Sequence, residues 1–420
     1  MAPAGQTRPQ PQTAPAGMHN DVLDRLTDYP FDRLRALLGP HAPAAGRREI
    51  HMQIGEPRHA PPDFLAAILA RDPADWGKYP PPNGTPELRA AIAGWCARRF
   101  AVPASLVEPE RHVALVAGTR EALFMAALLT VPRQKRGRQP VVLMPNPFYQ
   151  VYAGAAALAG AEAVLVPATA ATGFQPDFTS LPDDVLDRAA FAYLNSPSNP
   201  QGAVADRARL EAALALARRH DFVLGADECY SEIYTAAPPA GALEAAAALP
   251  AGAEGDRLAN LLVFHSLSKR SSVPGLRSGF VVGEAALIRR FLRLRQYGGA
   301  QVPLPVMHAS AALWSDEAHV EANRDLYRAK FDAALGILDG ACGAARPGGA
   351  FYLWLDVGNS EDAAVRLWRD AAVRVLPGAY LARTGADGVN PGARYIRCAL
   401  IHDLETTVEA ATRLRAVLAG

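Results

Sequence analysis

The chain has 420 residues, half of them apolar and a fifth charged, which is enough to bury a large core and to divide into more than one domain. With 43 basic and 42 acidic residues the net charge is +1, so no overall field draws it to nucleic acid or an anionic membrane, and no run of about 20 apolar residues could span a bilayer. The four cysteines, Cys96, Cys229, Cys342 and Cys398, lie far apart with no CxxC pair or metal-ligand cluster, which fits free thiols in a reducing cytoplasm and leaves small molecules as the expected partners.

In chain order, residues 1–20 read as a disordered tail rich in Pro, Ala and Gln, without the apolar segment a signal peptide needs, and Met18 stands beside Met1 as a candidate native start. Residues 22–38 carry helical apolar spacing and stop at Gly39-Pro40. An irregular Pro-rich passage follows, with Gly55-Glu56-Pro57 and a turn from Tyr79 to Gly84. From about Arg111 short apolar runs alternate with helical ones: strands at 112–117, 141–144, 191–194, 222–226 and 261–265, and helices at 120–129, 151–159 and 206–219. Such strands, apolar throughout and separated by helices, predict a mainly parallel sheet covered on both faces, with function at the strand ends. Residues 235–255, nearly all Ala, Gly, Pro and Glu, read as a surface insertion. From Pro305 a long helical region leads to a second α+β block with strands at 351–356, 373–376 and 395–400. The division expected is a large domain over 61–309 and a smaller one formed by 21–60 with 310–420.

Only Lys78, Lys135, Lys269 and Lys330 offer an amine. Lys269 follows a buried strand in Ser266-Leu267-Ser268-Lys269, with Gly275, Arg277 and Gly279 just beyond. There it can lie near a carbonyl carbon and a phosphate, for which Arg277 supplies a planar fork; the alternative is an ordinary lysine in a Ser-rich turn. Lys135 lies in a basic run that reads as a solvated loop, Lys330 in a helix where surface placement is the default, and Lys78 before a Pro-rich loop. An imine-forming lysine needs an electron sink, for which pyridoxal phosphate is the common cofactor, and its ring nitrogen needs a buried carboxylate. Asp227 ends an apolar strand and meets that need, with Tyr230 three residues on, although such an Asp is as readily a cap or turn residue. Gly118, Thr119 and Arg120 form a strand-turn-helix junction whose free N–H groups suit an anion. The turn from Asn195 to Gly202 holds Asn199 at another strand end, and Tyr149 ends a further strand where it could stack on a ring.

Together these segments resemble the class I aminotransferases of pyridoxal phosphate fold type I, from about Leu23 to the C-terminus. The resemblance implies a mainly parallel seven-stranded sheet flanked by helices in the large domain, plus a smaller α+β domain. It implies Lys269 as the Schiff-base lysine, Asp227 as partner of the pyridine nitrogen, Tyr230 and Asn199 on the phenolic oxygen, and Tyr149 stacked on the ring. Gly118, Thr119, Arg120, Ser266, Ser268 and Arg277 would surround the phosphate, joined by Tyr79 from the other subunit of a homodimer. Arg397 would grip the substrate α-carboxylate, helped by the Gly55 backbone and Asn199. Two positions depart from the pattern of some members, which carry tryptophan in place of Tyr149 and an aliphatic residue in place of Cys229.

More narrowly, the runs Asp28 to Leu34, Ile54 to Pro57, Ser268 to Arg277 and Tyr395 to Leu400 look like the bacterial N-succinyldiaminopimelate aminotransferases of lysine biosynthesis. That implies a cytoplasmic enzyme passing amino groups between glutamate and N-succinyl-2-amino-6-oxopimelate; Tyr29-Pro30-Phe31, close to the expected small-domain edge, is a candidate mobile cover or else a piece of core packing. The rivals are an aspartate- or aromatic-type aminotransferase, a β-lyase on the same fold, and a regulator with an aminotransferase-like domain. The last would need a DNA-binding module, and only about 20 tail-like residues precede the first helix.

Overall fold

Runs such as Val141-Val142-Leu143-Met144 and Leu261-Leu262-Val263-Phe264 have no polar face, so each strand they form must be covered on both sides. In the computed structural model, which describes residues 19–252 and 255–419, that is their situation. Met1, Met18 and all of the expected tail except His19 and Asn20 lie outside the described residues. The strands are β1 Ile50–His51, β2 Val113–Val116, β3 Val141–Asn146, β4 Glu162–Pro167, β5 Ala189–Asn195, β6 Val223–Asp227, β7 Leu261–Ser266, β8 Gly279–Gly283, β9 Tyr352–Asp356, β10 Val373–Arg374, β11 Leu376–Pro377 and β12 Tyr395–Ala399.

Seven of them form one sheet in the order β2-β8-β7-β6-β5-β3-β4. The inner pairings are parallel, and β8 runs antiparallel to both of its neighbours. Alternate side chains feed two separate cores, Leu143, Ala192, Leu224 and Val263 on one face and Val142, Phe191, Tyr193 and Phe264 on the other. The mainly parallel seven-stranded sheet flanked by helices is therefore present. The parallel strands β3, β5, β6 and β7 end at Asn146, Asn195, Asp227 and Ser266, which places their polar terminal residues along one edge.

The rest of the chain builds a three-stranded antiparallel sheet, β11-β12-β9, and a parallel pair, β1 with β10. Its core joins Ile50 and Met52 to residues of the helices Ala318–Leu338, Ser360–Ala371 and Leu404–Leu418. The division expected between residues 309 and 310 falls inside the helix Leu304–Ser315, whose Val306, Met307, Leu313 and Trp314 pack into the large-sheet core. We propose drawing it after that helix. No helix among the described residues is long and apolar enough to cross a membrane.

Four expectations need correction. The helix expected over 22–38 is two pieces, a 3-10 turn Asp21–Arg25 and a helix Pro30–Leu38, because Pro30 pushes Tyr29 out of the helical region and then starts the new helix. The strand expected over 373–376 splits into β10 and β11, which join different sheets. β4 and β8 complete the large sheet beyond the strands expected, on the short apolar runs Ala163 to Val166 and Phe280 to Val282. Finally, the Ala-rich segment after Thr235 is not a surface insertion: it forms a helix, Ala242–Ala248, with Ala242, Leu243, Ala245 and Ala246 in the large core.

Candidate active site

The strand ends of β5, β6 and β7, together with Gly55 and Arg397, line one cleft of about 600 Å³. At one end sits an anion-binding set. The helix Thr119–Thr130 begins after Gly118, whose φ of 86° favours glycine, and a Cβ there would meet the Arg277 guanidinium at 2.0 Å. Thr119 and Arg120, in the first turn, have amides with no partner inside the helix. Arg277 itself adopts a left-handed φ of 53° and is held by Pro274 and Ala117 carbonyls at 3.0 and 3.2 Å. It forms no ion pair with the acids of the described residues. Ser266 caps the short helix Leu267–Arg270 through the Ser268 amide at 3.1 Å, so both hydroxyls and Lys269 share one turn.

Lys269 is part-buried, and its Nζ donates to the Gly55 carbonyl at 2.5 Å. Burial draws its amine down to about 8. Across the cleft the Asp227 carboxylate is 5% exposed; Tyr152 donates to its Oδ2 at 2.6 Å and the Cys229 amide to its Oδ1 at 3.3 Å. Burial raises the Asp227 carboxyl above the usual range against the pull of those hydrogen bonds, so a cationic N–H brought beside it would restore its charge. The Cys229 thiol lies 3.0 Å from the Thr119 hydroxyl and is pushed well up by burial, so it stays a neutral packing group.

Arg397 is 3% exposed, with Nη1 donating to Asn199 Oδ1 at 2.8 Å and Nη2 to the Gln53 carbonyl at 2.6 Å. Because a guanidinium only donates, the Asn199 oxygen must face it, which leaves the Asn199 NH₂ as a free donor. The Arg397 Nε is buried with no partner, and no acid among the described residues pairs with the cation. A buried guanidinium without a counter-ion calls for an anionic ligand. Tyr352 lies under it, 4.4 Å from ring to cation, and its hydroxyl is 2.7 Å from that of Tyr230. A side chain on Gly55 would strike that Tyr352 hydroxyl at 2.2 Å, so the close approach needs glycine.

The structure thus brings Gly55, Thr119, Arg120, Tyr149, Asn199, Asp227, Tyr230, Ser266, Ser268, Lys269, Arg277 and Arg397 to one cleft, with Gly118 against Arg277 just behind it. Arg120 differs from expectation in that its Nε donates to the Tyr149 hydroxyl at 2.7 Å. Tyr79 is fully exposed and outside this cleft. Tyr29, Pro30 and Phe31 do line it. Sequence reasoning missed Tyr152 and Tyr352. Tyr152 follows Tyr149 at the helical spacing that puts both on one face, which was a usable signal.

Three comparisons bear on this arrangement. A sequence profile described as aminotransferase class I and II matches residues 47–414. The chain is 34% identical over 396 residues to the 4-dedimethylamino-4-oxo-anhydrotetracycline transaminase OxyQ of Streptomyces rimosus, covering 93% of this chain and 100% of that protein. It is 32% identical over 405 residues to an LL-diaminopimelate aminotransferase of Desulforudis audaxviator, covering 94% of this chain and 97% of that one. Among solved structures, an aminotransferase from Neisseria meningitidis matches with a TM-score of 0.89 at 40% identity, covering 95% of this chain and 100% of that chain.

Proposed function

The chain belongs to the class I and II aminotransferases, and from that premise we propose that it passes amino groups between glutamate and N-succinyl-2-amino-6-oxopimelate, yielding 2-oxoglutarate and N-succinyl-LL-diaminopimelate. Its cofactor is pyridoxal phosphate, whose ring, when bound, accepts negative charge from the substrate α-carbon. The donor set fits that group. The Gly118 turn, Ser266, Ser268 and Arg277 would hold the phosphate, Asp227 a proton at the pyridine nitrogen, and Asn199 with Tyr230 the phenolic oxygen.

Lys269 is the group that moves the proton. Burial lowers its pKa to about 8, which favours the free amine that would take up and return the substrate α-proton. A single α-carboxylate site at Arg397 would serve both substrates, so the two half-reactions would alternate. Arg397 carries the reading: a buried cation with no counter-ion, facing a 600 Å³ cleft, asks for an α-carboxylate on every substrate. Arg397→Lys is expected to weaken all amino-acid and oxo-acid substrates by about 2–5 kcal/mol, because a point charge cannot replace the planar fork. Binding constants for glutamate and 2-oxoglutarate check this, and a change under about threefold would move the carboxylate site elsewhere.

The cleft lining also includes Tyr29, Phe31, Leu376 and Leu381, and its volume of about 600 Å³ supports a substrate with a long distal chain such as the succinylated one. The likeness to LL-diaminopimelate aminotransferases favours a second reading, in which the unsuccinylated diamino acid is used. Steady-state kinetics with both, and with oxaloacetate and aromatic oxo acids, decides. We expect parallel-line patterns and the highest kcat/KM for the succinylated substrate; a higher value for any competitor overturns that choice of substrate. A homodimer, in which the exposed Tyr79 reaches a partner's phosphate site, completes the proposal, and a sedimentation mass of one chain in the active enzyme would remove it.

A further inference from the structure

Lys330 was expected at the surface, yet it is 3% exposed, on the helix Ala318–Leu338. Its Nζ lies 2.5 Å from His59 Nε2. No carboxylate among the described residues is within ion-pair reach of it. His59 Nδ1 lies 2.6 Å from Asn323 Oδ1, and Asn323 Nδ2 donates to the carbonyls of Lys269 and Arg270 at 3.3 and 3.1 Å. These partners fix every donor in the row. Two carbonyls on one side of Asn323 demand its NH₂ there, so its oxygen faces His59. His59 Nδ1 must then carry the proton, and Nε2 is left to accept from Lys330.

The same residues close a circuit around Lys269. Asn323, Tyr327 and Lys330 share one face of their helix, and the Tyr327 ring packs 4.4 Å from His59 and 5.0 Å from Lys330 Nζ. Ser272 donates to the His59 carbonyl at 2.9 Å, while four residues before His59 the Gly55 carbonyl accepts from Lys269 Nζ at 2.5 Å. The loop from Gly55 to His59 is therefore tied to the lysine turn at both ends. A neutral His59 suits this arrangement, since burial and the neighbouring Lys330 lower its pKa.

We propose that His59 and Asn323 are positioning residues, forming a directed row of hydrogen bonds, with Lys330 at its far end, that holds the Lys269 turn and so sets where its amine enters the cleft. The inference rests on Lys269 being the reactive amine. Its test reads the amine directly, in cofactor-free protein, through the pH dependence of trace acylation at each lysine, measured by peptide mass spectrometry. Asn323→Leu and His59→Leu break the row, whereas His59→Asn keeps a donor toward Asn323.

In the two broken variants the titration of Lys269 is expected to rise by about one pH unit as its turn loosens toward solvent. In loaded enzyme kcat should fall about tenfold while KM for glutamate changes less than about twofold. His59→Asn should return the titration toward the starting value. A role in stability alone would lower Tm in the broken variants and leave the Lys269 titration where it was, which overturns the proposal. Reductive trapping of the cofactor on another lysine would instead sink the assignment of Lys269, and the acylation profile would still be readable.

Discussion

Replacing Lys269 with alanine is expected to abolish transamination while leaving the fold and part of the cofactor affinity in place. The side chain makes a single hydrogen bond, to the Gly55 carbonyl, so its loss removes little from the core. Its turn stays fixed by the Ser266 cap and by Asn323 on the backbone carbonyls. The phosphate-facing groups Gly118, Ser266, Ser268 and Arg277 are untouched. What goes is the one lysine among the described cleft-lining residues, and with it the means of moving the α-proton. Borohydride reduction of the wild-type holoenzyme and peptide mapping should put the label on Lys269. Label on Lys78, Lys135 or Lys330 would refute the assignment.

Asp227→Ala should cost several orders of magnitude in turnover, because nothing else among the cleft-lining residues offers a carboxylate buried deeply enough to keep a ring nitrogen protonated. It should also cost stability, by about 1–3 kcal/mol, since the buried Tyr152 hydroxyl loses its acceptor. Asp227→Asn separates the two effects. An amide oxygen still accepts from Tyr152, so the fold should recover while turnover stays low. Thermal melts and single-turnover absorbance traces on the two variants check both halves, and near wild-type turnover in either would place the proton's partner elsewhere.

The inner strands were legible because a strand covered on both faces must be apolar throughout, and β3, β5, β6 and β7 are. Of the two strands not expected, β8 is apolar and buried throughout and sits between β2 and β7, but its run Phe280 to Val282 is only three residues long beside the lysine loop; the edge strand β4 carries Ala163 to Val166 between the exposed Glu162 and Pro167. The site residues at strand ends were legible because a polar residue closes each apolar run, as Asn195, Asp227 and Ser266 do. Tyr152 was marked only by its spacing from Tyr149, and Tyr352 was not legible, since an aromatic in an apolar run reads as core. Their partners, Asp227 and Tyr230, stand 75 and 122 residues away. Lys330 was misread for the same reason, with its acceptor 271 residues distant. Lys135 also departs from the solvated loop expected for it: its Nζ donates to the carbonyls of Ala189, His220 and Asp221, capping a helix end and a strand start.

The scarcity of lysine has a chemical consequence. Aldehydes and reducing sugars attack free amines, whereas the arginines that dominate this chain resist them. Of the four lysines, Lys135 is held by three carbonyls, Lys330 is buried, and Lys78 is paired with Asp75 at 2.8 Å, so Lys269 is the amine both open to a cleft and low in pKa. An aldehyde cofactor added in excess therefore meets few competing lysines, with the exposed Lys78 the first of them to form an off-site adduct.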